Sequence, residues 1–385
     1  MKKINCLLSL TVVAAAPLSL AKAPPAARIV DLTAADGVKL KASYFSAGKF
    51  GPGVLLLHQC DHDRRIWDGL AQQLAAAGIN VLTFDLRGFG ESGGRPHSTT
   101  GELEPPEEIQ KWPSDIDAAF QYLKSQHDVE PNAIGVGGAS CGVSNAIKTA
   151  MRHPEVKSLV LLSGPSDVKD RQFLRHSKLP VFCAVADDDQ YPGMVPLTEW
   201  LYLITPNPGK KFVHYCTGHH GAEMFAVHPE LPVAIVGWYI TTLIKTPGHA
   251  PPSNEAPEIL TEVRYWDMLE QPGGPAKLRT LMESQKGHNA PVIDQRMLDS
   301  LANDHINDGD VQQALEISKL DAFAYPNSPI AYGVLAEAYL DRGQKDLARQ
   351  NAEKALQLLP LDKVYSSDFH DAIKADIEDI LKKSK

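Results

Sequence analysis

Between Arg28 and Thr246 short apolar runs alternate with stretches of helical spacing. Gly53–His58 (GVLLLH) is apolar on successive residues rather than on every other one, the pattern of a strand covered on both faces. Ile79–Asp85, Ala133–Gly138, Leu159–Ser163, Val181–Ala186 and Lys211–Tyr215 are further strands of this buried kind. Between them Trp67–Ala77, Ile116–Leu123 and Cys141–Arg152 place apolar residues at helical intervals, and Val233–Ile244 reads as a closing helix. This alternation predicts the α/β class, with a mostly parallel sheet flanked by helices. Asp36-Gly37, set between two alternating segments, marks a hairpin turn, so the chain should open with antiparallel strands.

The pattern changes after Thr246, where Pro247, Gly248, Pro251, Pro252 and Pro257 crowd a stretch poor in large apolar groups. The α/β domain is therefore expected over residues 28–250, with a linker carrying helical segments over 251–290 and a small all-α repeat region over 291–385. In that last region a spacing of 34 residues pairs Leu301 with Leu335, Ala302 with Ala336, Gly309 with Gly343, Ala314 with Ala348 and Pro326 with Pro360. Tyr332, Leu335, Ala336, Tyr339, Gly343, Ala348, Ala352, Ala355 and Pro360 resemble the packing positions of the tetratricopeptide repeat. The first copy, Gln295–Pro326, departs from it with Ser318 and Asp321 where small apolar residues are expected. Two repeats make a short stack, so they should pack on the first domain, on a further helix over residues 368–382, or on another protein or a second copy of the chain.

Composition narrows the functional classes. A chain of 385 residues that is 43% hydrophobic and 22% charged can bury a core, and a net charge of -9 without basic clusters leaves no surface for nucleic acid. Lys2 and Lys3, an apolar run from Ile4 to Leu20 and the small residues Ser19, Ala21 and Ala23 read as a cleaved export signal over residues 1–23. The mature protein is thus expected in the periplasm or outside the cell, without a stable membrane span. Beyond the signal, Cys60, Cys141, Cys183 and Cys216 form no C-x-x-C pair and read as small buried apolar residues.

The chemistry centres on Gly138-Ala139-Ser140-Cys141-Gly142, a G-x-S-x-G run between an apolar strand and a helix. A serine on such a turn needs small residues two places before and after it, because strand and helix backbones nearly touch there. With Cys141 as nucleophile, the flanking residues become Ala139 and Val143, a poorer fit. A serine hydroxyl also needs an oriented base. Asp187-Asp188-Asp189 follows one late strand, and Gly218-His219-His220-Gly221 follows the next.

With these motifs in serine, acid, histidine order, residues 28–244 resemble the α/β-hydrolase superfamily, especially its dienelactone-hydrolase-like and esterase-like members. The Asp85-Leu86-Arg87-Gly88-Phe89-Gly90-Glu91-Ser92 turn resembles that superfamily's scaffold motif. The resemblance implies a Ser140–His220–Asp189 triad, with Asp188 the alternative acid and His219 a neighbour. It also implies an oxyanion hole made by the backbone N–H groups of Cys141 and of Cys60, or Gln59 in place of Cys60. His58-Gln59 departs from the usual His-Gly. This placement brings Cys60 near Cys141, where a bond between them would block the site; the expectation is that they stay unbonded. His58, Cys60, Asp61, His62 and Asp63 have the look of metal ligands, but no second cluster completes them, and neither metal nor cofactor is expected. Only residues 164–179 separate two strands where relatives insert a cap, so the site should be open to small esters. The reaction expected is hydrolysis of carboxylic esters through an acyl-enzyme; a serine peptidase or amidase, and an inert repeat-based binding protein, are the alternatives.

Overall fold

The computed structural model describes residues 26–97, 106–191, 193–252, 257–284 and 293–385, so the expected export signal lies outside the described residues. The described residues fall into two compact units, one holding those up to Ser166 with Asp170–Pro257, the other those of Glu258–Lys385 with Asp167–Lys169.

In the first unit the strands are β1 (Arg28–Thr33), β2 (Lys39–Phe45), β3 (Gly51–Leu57), β4 (Asn80–Phe84), β5 (Val129–Ala139), β6 (Val156–Leu162), β7 (Val181–Ala186) and β8 (Lys211–Tyr215). They form one sheet in the order β1-β2-β4-β3-β5-β6-β7-β8. β1 and β2 form the expected antiparallel hairpin at Asp36-Gly37, and β2 runs antiparallel to β4. From β4 onward every pairing is parallel. The helices of this unit are α1 (Asp68–Ala76), α2 (Pro106–Ile109), α3 (Trp112–Ser125), α4 (Cys141–Arg152), α5 (Val168–His176), α6 (Met194–Ile204), α7 (Met224–Val227) and α8 (Glu230–Tyr239). The last continues into a wider π turn over Ile240–Lys245.

The apolar runs are buried as their composition demands. Val54, Leu56, Val81, Val160 and Phe182 from the sheet pack with Trp67, Leu70 and Leu74 of the α1 region and with Leu231 and Ile235 of α8. Each such side chain contributes about 2 kcal/mol by leaving water. β8 departs from expectation: read as a buried strand, it is exposed or half-buried throughout, because it lies at the sheet edge and pairs only with β7. At the centre of the sheet β5 gives up side chains at Gly135 and Gly137 to admit Tyr239. A Cβ on Gly135 would lie 2.6 Å from that ring, and one on Gly137 3.1 Å from its hydroxyl. Tyr239 is fully buried in this slot.

The second unit is helical: α9 (Thr261–Leu269), α10 (Gly274–Ser284), α11 (Gln295–Asn307), α12 (Val311–Ala324), α13 (Pro329–Asp341), α14 (Lys345–Leu358) and α15 (Ser367–Lys383). The boundaries of α13 and α14 each fall 34 residues after those of α11 and α12, as Gln295 and Pro329, Asn307 and Asp341, Val311 and Lys345, and Ala324 and Leu358 show. Gly309 and Gly343 turn each pair with left-handed φ values of 80° and 72°. Ala336, Ala352 and Ala355 are buried with Ile377 and Ile380 of α15. Ser318 and Asp321, the polar departures in the first copy, are both buried.

Candidate active site

Because β3 to β8 run parallel, their C-terminal ends share one edge of the sheet, and the chemistry-bearing residues collect there. β5 ends at Ala139 and α4 begins at Cys141, leaving Ser140 alone to reverse the chain, with φ 52° and ψ −124°. That conformation is costly for a residue with a side chain. The neighbouring glycines make it possible: a Cβ on Gly138 would sit 1.9 Å from the Gly142 carbonyl oxygen, and one on Gly142 2.4 Å from that of Leu57. Gly164, which the motif does not announce, performs the same service on the other side, where a Cβ would lie 2.2 Å from the Ser140 carbonyl oxygen. Ser144, one helical turn on, donates instead to Asp170 at 2.5 Å.

The acidic and histidine clusters sort themselves into two pairs. The His220 Nδ1–H donates to Asp189 Oδ2 at 2.8 Å, and their side chains are only 1% and 3% exposed. Asp189 also accepts the Ser163 hydroxyl and, at 2.9 Å, the Tyr191 backbone N–H. Asp188 instead accepts the His219 backbone N–H at 2.9 Å, holding that residue at φ 63°. The His220 backbone N–H donates to the Glu223 carboxylate at 3.3 Å, and the Tyr191 ring stands edge-on to the imidazole at 4.4 Å. Burial, reinforced by Asp61, Asp189 and Glu223, pushes the Tyr191 hydroxyl up from its ordinary value.

His220 Nε2 is buried and has no hydrogen-bond partner among the described residues. The structure therefore joins histidine to aspartate and does not close a hydrogen bond from the imidazole to Ser140. Contacts of that kind often tighten only when substrate binds.

The loop after β3 completes the edge. His58 is fully buried, with Nδ1–H donating to the Gln59 carbonyl at 2.8 Å and Nε2 accepting the Leu86 N–H at 3.1 Å. Burial lowers its pKa, in keeping with this neutral tautomer. Gln59 Oε1 accepts the Ala222 N–H at 2.9 Å, tying the loop to the segment that carries His220. The departure from His-Gly thus supplies a cross-link of its own.

Cys60 and Cys141, expected unbonded, form a disulfide with Cα atoms 5.9 Å apart. The cause is register: Leu57 pairs with Gly138 across β3 and β5, and each cysteine lies the same three steps beyond its strand residue. Cys183 behaves as the sequence implies, fully buried with its thiol pushed up to about 12 by burial, whereas Cys216, expected to be buried, is exposed and disulfide-bonded.

Of the metal-like residues, Asp61 and His62 meet Glu223, their ligand atoms all within 4.8 Å of one another. His58 stands apart because both its ring nitrogens serve the backbone, and Asp63 caps a 3-10 turn and pairs with Arg65. Burial opposes ionisation of Asp61, yet the hydrogen bond from His62 at 3.1 Å and the imidazole beside it hold its carboxyl below the usual range. The Asp85–Ser92 turn is held by ion pairs of Arg64 with Asp85 and of Arg87 with Asp115, all four buried.

Sheet order, nucleophile-type elbow and the loops at the C-terminal edge define the class as α/β-hydrolase-like. Residues 53–187 match the family model described as serine aminopeptidase, S33. An uncharacterized protein of Mycobacterium tuberculosis is 32% identical over 172 residues, 44% of this chain and 56% of its own. A thiohydrolase of Aspergillus aculeatus is 30% identical over 134 residues, 34% of this chain and 39% of its own. The chain thus spans little more than half, or less, of these curated relatives. Among solved structures, a dienelactone hydrolase from Anabaena variabilis aligns with a TM-score of 0.45 at 21% identity, over 56% of this chain and 98% of its own.

Sequence reasoning missed Ser163, Tyr191, Glu223 and the Gln59 cross-link. No motif announces any of them, since each acts through a contact that only the folding of the loops creates.

Proposed function

We propose that the chain is an exported serine hydrolase that cleaves small carboxylic esters. Ser140 attacks the acyl carbon, His220 Nε2 takes its proton, and Asp189 holds the imidazole through Nδ1 and stabilises the imidazolium. The backbone N–H groups of Cys141 and Cys60 face the oxyanion of the tetrahedral intermediate. An acyl-enzyme forms, and water releases the acid. The observation that carries this reading is the buried His220–Asp189 pair at 2.8 Å with Nε2 left unpartnered.

A second reading, hydrolysis of amides or thioesters by the same groups, is favoured by the aminopeptidase description of the matching family and by the thiohydrolase relative. The helical unit we read as tetratricopeptide-like, in support of which stand the shared helix boundaries and the buried small residues at 336, 352 and 355; its role is to bind a protein partner or a second copy.

The test is labelling with a fluorophosphonate, followed by turnover of matched p-nitrophenyl ester, thioester and aminoacyl anilide substrates. We expect an adduct on Ser140, fastest turnover of the ester, and a loss of roughly four to six orders of magnitude in kcat for Ser140→Ala. Faster anilide turnover transfers the proposal to the second reading. No adduct and no turnover leave only the binding protein.

A further inference from the structure

We propose that the Cys60–Cys141 disulfide is a working part of the oxyanion site: it clamps two backbone donors at one fixed separation, so that opening it slows acyl transfer without weakening substrate binding. The inference rests on the serine-hydrolase reading above and adds to it a positioning role for the two side chains.

The bond joins the residue after Ser140 to the loop that supplies the other donor. Cys141 is the first residue of α4, where N–H groups have no partner within the helix. Cys60 stands at the corner of a turn closed by the His62 N–H on the Gln59 carbonyl, a bond that makes no use of its own N–H. Neither the Cys60 nor the Cys141 N–H donates to an acceptor among the described residues.

The same loop is tied at three successive residues to three different parts of the site. His58 accepts from Leu86 in the turn after β4, Gln59 accepts from Ala222 beside His220, and Cys60 is bonded to the nucleophile elbow. The third tie alone is covalent and alone reaches the elbow. Both cysteines are half-buried rather than sealed in the core.

Donors of this kind act on charge that exists only in the transition state, so their misplacement lowers kcat and leaves KM nearly unchanged. A dithiol reagent opens the bond in two exchanges. One reagent thiolate attacks a cysteine sulfur and displaces the other cysteine, then the second reagent thiol displaces the first. The reagent gives up two electrons and two protons and leaves as a cyclic disulfide, with Cys60 and Cys141 as thiols.

The experiment uses the full oxidised chain, with kcat and KM for p-nitrophenyl acetate and the rate of fluorophosphonate labelling measured before reduction by dithiothreitol, after it, and after reoxidation. Near-ultraviolet circular dichroism checks that the fold survives. We expect kcat and the labelling rate to fall roughly ten- to a hundredfold on reduction, with KM within about twofold, and to recover on reoxidation. Cys60→Ser/Cys141→Ser should match the reduced protein and no longer respond to dithiothreitol, which assigns the effect to this bond rather than to one elsewhere. An unchanged kcat overturns the clamp, and so does a rise, which would mean that the bond obstructs the site. No labelling of Ser140 in either state removes the hydrolase reading and this inference with it, whereas equal labelling in both states removes the inference alone.

Discussion

Three adjacent aspartates and two adjacent histidines divide their work by which way the loop turns each side chain. Asp189 faces inward to His220, with Ser163 and the Tyr191 N–H completing its coordination, while Asp188 faces the His219 backbone. On the proposed mechanism Asp189→Asn costs about 10⁴ in kcat, since the asparagine amide favours the wrong imidazole tautomer. Asp188→Asn should cost less than about tenfold, because its partner is a loop amide and not a reacting group. Steady-state kinetics on the two variants decide; equal losses would sink the assignment. The two clusters were legible in the sequence, but the choice of Asp189 and His220 within them came from the family resemblance and not from spacing. Ser163 was not legible, because nothing in a strand-end serine reveals that a loop from β7 will fold back onto it.

Among the elements, the elbow between β5 and α4 is the most tightly specified. Gly142→Ala would push a methyl carbon to 2.4 Å from the Leu57 carbonyl, an immovable backbone neighbour. We expect a loss of about 3 kcal/mol in stability, or no folded protein, whereas Gly69→Ala, with nothing within 4 Å of the added carbon, should be neutral or better. Urea unfolding of both variants is the check. The parallel strands were readable from their apolar runs because burial on both faces leaves a periodicity signature. β8 was misjudged because an edge strand differs from an inner one by its neighbours and not by its own residues. The two cysteines were expected to be neighbours but unbonded, because the sequence does not show how closely they approach. They lie 81 residues apart, and only the register of β3 on β5 makes them meet. Closing so long a loop restricts the unfolded chain and stabilises the fold by roughly 4 kcal/mol.

At the scale of the molecule the two units differ in how they handle buried charge. The first neutralises it in ion pairs such as Arg87–Asp115. The second sets Asp321 of α12 against Asp299 of α11, whose carboxylate also takes the Tyr365 hydroxyl at 2.8 Å. Burial, followed by the neighbouring Asp299 carboxylate, pushes Asp321 up to about 10, far above its ordinary value of 3.8. The folded unit therefore holds a proton that the unfolded chain releases, and its stabilising contribution is full below about pH 4 and is lost as pH rises toward 10. Asp321→Asn, which keeps the shape without the titration, should raise the stability of this unit at pH 8 and flatten its dependence between pH 5 and 9. Hydrogen exchange of α11 and α12 amides in the full chain reads this directly, and parallel profiles for variant and wild type would refute it. The 34-residue spacing made the helix pairs legible, but a polar residue at a packing position gives no hint of which carboxylate will be buried beside it.

The slot that Gly135 and Gly137 leave for Tyr239 also dictates when the fold can be finished. During synthesis the middle of the sheet is made about a hundred residues before the ring that plugs it, so the trough along β5 stays open until α8 emerges. A chain halted between Tyr215 and Tyr239 carries every strand of the sheet and still presents an unfilled apolar gap at its centre.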